Sequence, residues 1–108
     1  MRHVGDFAPG TVVYFKFNTG LVTATAPSVT GAGVATTLAG TPVVSIYKDD
    51  STTEFTTGVT LTVDFDARTG LNHVTVDTSD AAYSAGSFFT AVITTGTLGA
   101  ASAVGLIV

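Results

Sequence analysis

The sequence of this 108-residue chain predicts an all-β domain, a sandwich of six to seven mostly antiparallel strands. Apolar and polar residues alternate with a period of two in several short runs, and Gly, Pro and Asp mark turns between them. No stretch of useful length carries apolar residues at helical spacing. A chain of this length holds one core, so residues 1–108 are expected to form a single domain.

The predicted elements follow in order along the chain. Residues 1–10 are interpreted as an N-terminal arm, and the alternating run Thr11 to Asn18 as the first core strand. Residues 19–40 are rich in Thr, Ala, Gly and Ser and predict a long loop, with a short strand around residues 21–25, where the periodicity is weak, as the alternative. The remaining predicted strands are 42–48, 53–55, 59–66, 71–77, 87–95 and 101–108.

A β-hairpin is the clearest of these patterns. Its inner face is expected to hold Val59, Leu61, Val63 and Phe65, and its wet face Thr60, Thr62, Asp64 and Asp66. A turn over residues 67–70 follows, because Gly70 tolerates the positive φ that a short hairpin connection needs. Leu71 then opens the partner strand.

Composition excludes several classes of partner. Charged residues make up 11% of the chain and the net charge is −4, so the positive surface that binds nucleic-acid phosphates is absent, and anionic membranes would repel the chain. No apolar run approaches 18 residues, which excludes a transmembrane helix. The N-terminus shows no signal-peptide pattern, so we do not expect secretion by the standard route.

Carboxylates offer the best candidates for a metal site. Asp64, Asp66 and Asp77, with Asp80 nearby in sequence, carry the hard oxygen ligands that calcium prefers. No glycine-punctuated, Asp-rich loop that would wrap an ion accompanies them. The favoured interpretation is that these aspartates solubilise an outer face and shape turns, and we expect neither a metal nor a cofactor.

No set of residues predicts catalysis, and the chain is not expected to be an enzyme. His73 lies in the second hairpin strand, and the other histidine, His3, lies in the N-terminal arm. A hydrolase would need His73 beside an acid and a nucleophile. The serines form no nucleophile-elbow pattern, and Gly31 to Gly33 does not continue into a phosphate-binding motif.

Several strands are apolar on both faces, and such strands are usually covered on both faces. In a domain this small the second cover would be another subunit, so the sequence predicts a homo-oligomer or a place in a larger assembly. The residues expected at that interface are Val12, Tyr14, Val43, Tyr47, Phe88 and Val92. The apolar C-terminal residues 105–108 would either pair within a sheet or continue into further chain.

Four segments carry a resemblance to a known group of proteins. They are FAPGTVVYFKF (7–17), TTLAGTPVVSIYKDDSTTE (36–54), GVTLTVDFDARTGLNHVTVDT (58–78) and YSAGSFFTAVITTGT (83–97). Together they resemble small immunoglobulin-like β-domains of tailed-phage and prophage structural proteins, similar in layout to the N-terminal domain of phage baseplate upper proteins.

The resemblance implies a virion structural protein of the tail, baseplate, neck or capsid decoration, made in the host cytoplasm and assembled with other virion proteins. It supplies no catalytic residues. The alternative function is a carbohydrate-binding or adhesion module on a phage or bacterial surface, since exposed tyrosine and phenylalanine side chains can stack on sugars.

Overall fold

The computed structural model describes residues 5–21 and 34–108, which form nine β-strands, one short 3₁₀ turn and no α-helix. This confirms the prediction of an all-β fold. The strands are β1 (Val12–Asn18), β2 (Gly20–Leu21), β3 (Val34–Ala35), β4 (Ala39–Lys48), β5 (Glu54–Phe55), β6 (Val59–Thr62), β7 (Leu71–Asp77), β8 (Phe89–Leu98) and β9 (Ala101–Ser102).

Two antiparallel sheets make up the body of the domain. The first has the strand order β1-β7-β6, and the second has the order β5-β4-β8-β9. A separate two-residue pair joins β2 to β3. Because β4 and β5 belong to one sheet and β6 and β7 to the other, the chain crosses between the sheets at residues 56–58.

The core lies between the two sheets, as the alternating patterns predict. In β1, Phe15 and Phe17 point inward opposite Val74 and Asn72 of β7, while Tyr14 points outward. The second sheet contributes the inward faces of β4 and β8. The buried apolar residues are Phe17, Leu38, Val44, Ile46, Val74, Val76, Tyr83, Ile93, Leu98 and Ala103.

The predicted hairpin forms, but its first strand is shorter than expected. β6 pairs with β7 from Val59 to Thr62, and the chain then leaves the strand instead of continuing to residue 66. Asp64 has φ 50°, a left-handed conformation that aspartate tolerates better than most residues. Its carboxylate accepts hydrogen bonds from the Gly70 N–H at 2.8 Å and the Thr37 hydroxyl at 2.7 Å, which hold the turn in place.

The placement of Phe65 on the inner face is therefore wrong. The 3₁₀ turn Phe65–Ala67 carries this ring onto the outer face of the first sheet, where it packs on His73 with ring centroids 4.7 Å apart. The prediction for the other three inner-face residues is correct, since Val59, Leu61 and Val63 pack against the core.

A hydrogen-bonded clasp holds the two ends of the segment that runs from β1 to β4. The Thr19 N–H donates to the Gly70 carbonyl at 2.9 Å, and the Thr36 N–H donates to the Thr19 carbonyl at 3.0 Å. The buried Thr19 hydroxyl donates to the Thr36 carbonyl at 2.7 Å and accepts from the Asn72 amide at 3.1 Å. We call these contacts the Thr19 clasp.

Parts of the predicted loop and arm lie outside the described residues. Of the loop predicted over residues 19–40, the described ends contain the β2–β3 pair and the first residues of β4, which begins at Ala39 rather than at 42. Residues 22–33, with the GAG run at 31–33, are not described, and neither are residues 1–4 of the arm, with His3.

The C-terminal residues pair within the second sheet. β9 covers Ala101–Ser102, and the chain then bends and returns to the edge of β8. There the Ile93 N–H donates to the Leu106 carbonyl and the Val108 N–H donates to the Ala91 carbonyl, both at 2.9 Å. The strand predicted over 101–108 is thus interrupted, and residues 103–108 form the outer edge of the sheet, here called the C-terminal segment.

Candidate interaction surface

An apolar groove opens between the two sheets where β1 faces β8 and the C-terminal segment. It encloses about 540 Å³ and is lined mainly by inward-facing apolar side chains. Its walls are formed by Val13, Phe15, Ile46, Val76, Phe89, Ala91 and Val108, with residues 5–9 and 84–88 at its mouth. We call β1, the C-terminal segment and this groove the open side of the domain.

The outer edge of β1 has unpaired backbone groups in the described part of the chain. β1 ends its sheet and pairs with β7 alone. The Thr78 N–H donates to the Thr11 carbonyl, and the Thr19 N–H donates to the Gly70 carbonyl. Because bonding partners alternate along an antiparallel ladder, the odd-numbered residues of β1 bond to β7. The N–H and C=O groups of Val12, Tyr14, Lys16 and Asn18 therefore point to the free edge.

Exposed apolar side chains concentrate on the open side. On the outer face of β1, Val12 is 54% exposed and Tyr14 is 66% exposed. Phe88, just before β8, is 76% exposed. The C-terminal segment adds exposed Val104, Leu106 and Ile107. Three of the six residues predicted for an interface, Val12, Tyr14 and Phe88, thus lie on or beside the open side.

The other three predicted interface residues lie on the outer face of the second sheet and are half-buried. Val92 bridges to Ile107 of the C-terminal segment. The Tyr47 hydroxyl donates to Glu54 at 2.7 Å, and this hydrogen bond raises the pKa of Tyr47. Val43 shares this face just before the regular β4–β8 pairing, which begins at Val44 after a register shift. The six predicted residues therefore fall on two outer faces and do not form one patch.

Aromatic side chains cluster on the outer face of the first sheet. The Tyr14 ring lies 6.0 Å from His73, and His73 lies 4.7 Å from Phe65. The Lys16 ammonium sits 4.6 Å above the Phe65 ring, a distance at which a cation is attracted to an aromatic face. Tyr14 is the exposed member of this cluster, and its ring is open to a partner or ligand.

The structure does not bring the candidate metal ligands together. Asp64 holds the turn before β7, Asp66 is exposed and lies 3.6 Å from Arg68, and Asp77 ends β7 at the opposite end of the hairpin. Asp77 accepts hydrogen bonds from the Ser79 hydroxyl and N–H, which lower the pKa of Asp77. Within residues 5–21 and 34–108, no three His, Asp or Glu side chains are placed to share an ion.

Within the described residues, the His73 side chain makes one hydrogen bond, and its partner is a hydroxyl group. Its Nε2 lies 3.2 Å from the Thr75 Oγ1, and its Nδ1 is buried without a hydrogen-bond partner among the described residues. The carboxylate that would orient and charge-balance His73 in a hydrolase is not among these contacts within the described residues.

Sequence reasoning missed the groove and a row of rings that runs from the groove to β5. Phe7, Phe89, Tyr83 and Phe55 follow one another with centroids 5.9, 5.3 and 5.4 Å apart. Tyr83 lies between predicted strands, yet it is 2% exposed and its hydroxyl donates to the Thr57 carbonyl at 2.6 Å. The sequence signal that could have predicted the burial of Tyr83 is the presence of an aromatic residue in a polar loop. Large apolar rings are seldom exposed to water when a core is near.

No helix in the described residues is long and apolar enough to cross a membrane. Comparison with known proteins found no match to this chain among protein-family models, curated proteins or solved structures.

Proposed function

We propose that this chain is a non-enzymatic structural protein of a tailed bacteriophage virion that acts through protein–protein assembly. The observation that carries the proposal is the open side, where exposed apolar side chains flank an apolar groove and an unpaired strand edge. Groups of exposed apolar residues are typical of sites where proteins associate.

The strand order supports an immunoglobulin-like architecture within this proposal. One sheet of immunoglobulin domains contains strands B, E and D, and the other contains strands C, F and G. β1, β7 and β6 correspond in order to B, E and D, and β4, β8 and β9 to C, F and G. This agrees with the resemblance of four sequence segments to phage structural domains.

The distribution of charge also favours assembly. Residues 81–108, which include β8 and the C-terminal segment, contain no Asp, Glu, Lys or Arg. Charged residues are depleted at the centres of protein interfaces because their desolvation is costly. A surface of this composition can be buried against a neighbour without stripping water from ions.

Purified virions from the strain that encodes the chain provide the test. We expect mass spectrometry to find the chain at a fixed copy number per particle, and immunoelectron microscopy to place it at one position on the particle. Free host protein of similar abundance serves as the contamination control. Particles that lack the chain, together with a purified chain that stays monomeric, would contradict the proposal.

The aromatic cluster on the first sheet supports a second candidate function, carbohydrate binding. Tyr14 offers an exposed ring beside His73 and Phe65, with the Lys16 ammonium next to them, a combination suited to a sugar that carries a carboxylate. A glycan array with the native chain and Tyr14→Ala tests this candidate. Binding that disappears in the variant would support it, and an array without signal for either protein would exclude it.

A further inference from the structure

We infer that the open side is a homotypic interface in which β1 pairs antiparallel with β1 of a second copy, with Phe15 at the two-fold axis. This inference rests on the proposed function insofar as both take the open side as the assembly surface, and it names a second copy of the chain as the partner. The strand edges, the register, the charges and the available area each support this pairing.

Both sheets have an edge on the open side, so one two-fold axis can pair both edges with those of a second copy. β1 is the edge strand of the first sheet, and the C-terminal segment forms the edge of the second sheet, next to β8. A two-fold axis beside β1 places β1 next to its copy and brings the two C-terminal segments towards each other. Each sheet is then extended by its own copy, and the two grooves merge in the interior of the dimer.

β1 is the strand edge in the described structure that is least protected against such pairing. Natural edge strands are kept short or carry proline, bulges or several charges. β5 and β9 have two residues each and β6 has four, whereas β1 has seven, with no proline and Lys16 as its single charge. Its pairing with β7 is regular from Val12 to Asn18, without a bulge.

The register follows from which backbone groups face the free edge. The outward N–H and C=O groups belong to Val12, Tyr14, Lys16 and Asn18, so a second copy must pair even-numbered residues with even-numbered residues. Pairing centred on Phe15 uses all seven residues of β1, whereas centring on residue 14 or 16 shortens the ladder. In this register Tyr14 lies opposite the partner's Lys16, and Val12 lies opposite the partner's Asn18.

Charge favours the same register. Centring on residue 16 would place two lysines directly opposite each other, which destabilises a strand pair. Centring on Phe15 instead puts the Lys16 ammonium beside the exposed ring of the partner's Tyr14, a cation–π contact.

The groove itself carries little charge. Each copy has a net charge of −4, so two copies repel at long range, but among the described residues Asp6 is the one charged residue that lines the groove.

The area of the open side is sufficient for a dimer of standard size. The domain has extents of 50 × 30 × 24 Å, so even its smallest side measures roughly 700 Å². A standard interface takes about 600–1,000 Å² from each partner. The paired edge contributes backbone hydrogen bonds in addition to this burial, as in other cases of strand addition.

Cysteine cross-linking tests both the pairing and its register, because the chain contains no cysteine of its own. In the double variant Tyr14→Cys/Lys16→Cys, the thiol introduced at position 14 would face the thiol introduced at position 16 of the second copy. Their Cα atoms would be about 5.5 Å apart, within the range of a disulfide. In each single variant the like cysteines lie about 7–8 Å apart on the diagonal. We therefore expect roughly tenfold more disulfide-linked dimer from the double variant than from either single variant.

Thr60→Cys/Thr62→Cys is the matched control. It carries the same spacing on the same outer face, but on β6 at the opposite edge of the first sheet. Dimer from this control equal to that from the double variant would contradict pairing through β1. Preferential cross-linking of Tyr14→Cys alone or of Lys16→Cys alone would contradict the Phe15-centred register.

A second variant separates pairing from folding. Tyr14→Pro removes an N–H that faces the free edge and leaves the ladder to β7 intact, so the variant should fold and sediment as a monomer where the native chain is a dimer. A folded native chain that is monomeric at all concentrations would overturn the inference. Such a chain could still be found on virions, bound to other proteins, and the proposed function would then survive.

Discussion

The two long sides of this sandwich share one core, but one side is closed by packed residues and the other has an open groove. On the side of β5 and β6, here called the closed side, residues 56–58 carry the chain from one sheet to the other, and Tyr83 packs against Phe55 with ring centroids 5.4 Å apart. On the open side no described strand bridges the gap between the edge of the first sheet at β1 and the edge of the second sheet at the C-terminal segment. A groove of about 540 Å³ lies there. The difference shows that a core can be complete at its centre while a groove remains open along one side.

The two sides differ in how far their apolar groups are buried and their polar groups are hydrogen-bonded. Tyr83 fills space with its ring and uses its hydroxyl to bond the Thr57 carbonyl at 2.6 Å, so burial and hydrogen bonding reinforce each other. The open side has apolar walls and unpaired backbone groups at its rim. Substitutions on the closed side should therefore cost the most stability, and removal of exposed apolar side chains from the open side should change association.

Tyr83→Ala should have the largest effect, because it removes the ring that seals the closed side. Loss of a buried aromatic side chain costs about 3–5 kcal/mol in the free energy of unfolding. Urea denaturation followed by circular dichroism measures it. The matched variant Tyr83→Phe keeps the ring and should lose only about 0.5–1.5 kcal/mol, for the hydrogen bond. Equal losses in both variants would show that the hydroxyl, not the ring, seals this side.

Gly58→Ala should be the next most disruptive change. Gly58 has φ +75°, and a Cβ there would lie 2.2 Å from the Asp77 carbonyl oxygen, so strain and overlap together should cost about 2–4 kcal/mol. Gly86, at the mouth of the groove, is the matched control, since its φ is +81° but a Cβ would meet nothing within 4 Å. Gly86→Ala should cost about 1 kcal/mol. Equal denaturation midpoints for the two variants would contradict the view that the closed side is tightly packed and the mouth of the groove is open.

Alkaline pH should weaken the closed side in particular. Burial raises the pKa of Tyr83 to about 12, and the carboxylates of Asp80 and Asp77 add to the shift. The unfolded chain loses this proton near the ordinary tyrosine pKa of about 10, so the unfolded state is favoured as the pH rises from 10 to 12, and the contribution is intact below pH 10. Stability measured against pH should fall less steeply in Tyr83→Phe than in the native chain. Parallel curves would contradict this assignment.

Ala91→Val should stabilise the isolated domain, because Ala91 lines the groove and has space beside it. Filling such space commonly adds about 0.5–2 kcal/mol to the free energy of unfolding. Ala103 is the matched control, since it is fully buried away from the groove. Ala103→Val should destabilise by about 1–3 kcal/mol through overpacking. A loss of stability in Ala91→Val would mean that the groove is already filled in the isolated chain.

Phe88→Ser should change stability least. This side chain is 76% exposed, and surface substitutions usually stay within about 0.5 kcal/mol. If the open side binds a neighbour, sedimentation at high concentration should nevertheless show weaker association than in the native chain. A large loss of stability would show that Phe88 belongs to the core of the isolated domain.

Local patterns were sufficient to predict the longer strands and most of their inward-facing residues. The alternation at Val13, Phe15 and Phe17 and at Val44 and Ile46 predicts burial, because side chains in a strand point to opposite faces in turn. The glycine at the end of the hairpin turn was also predictable, and Gly70 has φ +79°. These features depend on neighbours in sequence, so a single sequence contains the information.

Features that depend on distant contacts were not predictable in the same way. Phe65 continues the strand pattern perfectly, yet Asp64 turns the chain because it finds partners at Gly70 and at Thr37, which is 27 residues away. The groove arises from the relative width of two sheets, which no local run encodes. Of the residues predicted for an interface, Val12, Tyr14 and Phe88 are exposed, and the apolar character of both strand faces was the local signal that selected them. The interface itself stays a prediction.

The Thr19 clasp has a consequence for how this domain can change in evolution. Because the clasp fixes residues 19 and 36 side by side, the two ends of the intervening segment are held at one place on the body of the sandwich. The entropy of closing a loop rises slowly with its length, by roughly 0.6 kcal/mol for each doubling. Insertions between Leu21 and Val34 should therefore cost little folding free energy, so related chains can acquire new sequence there while they keep the same core.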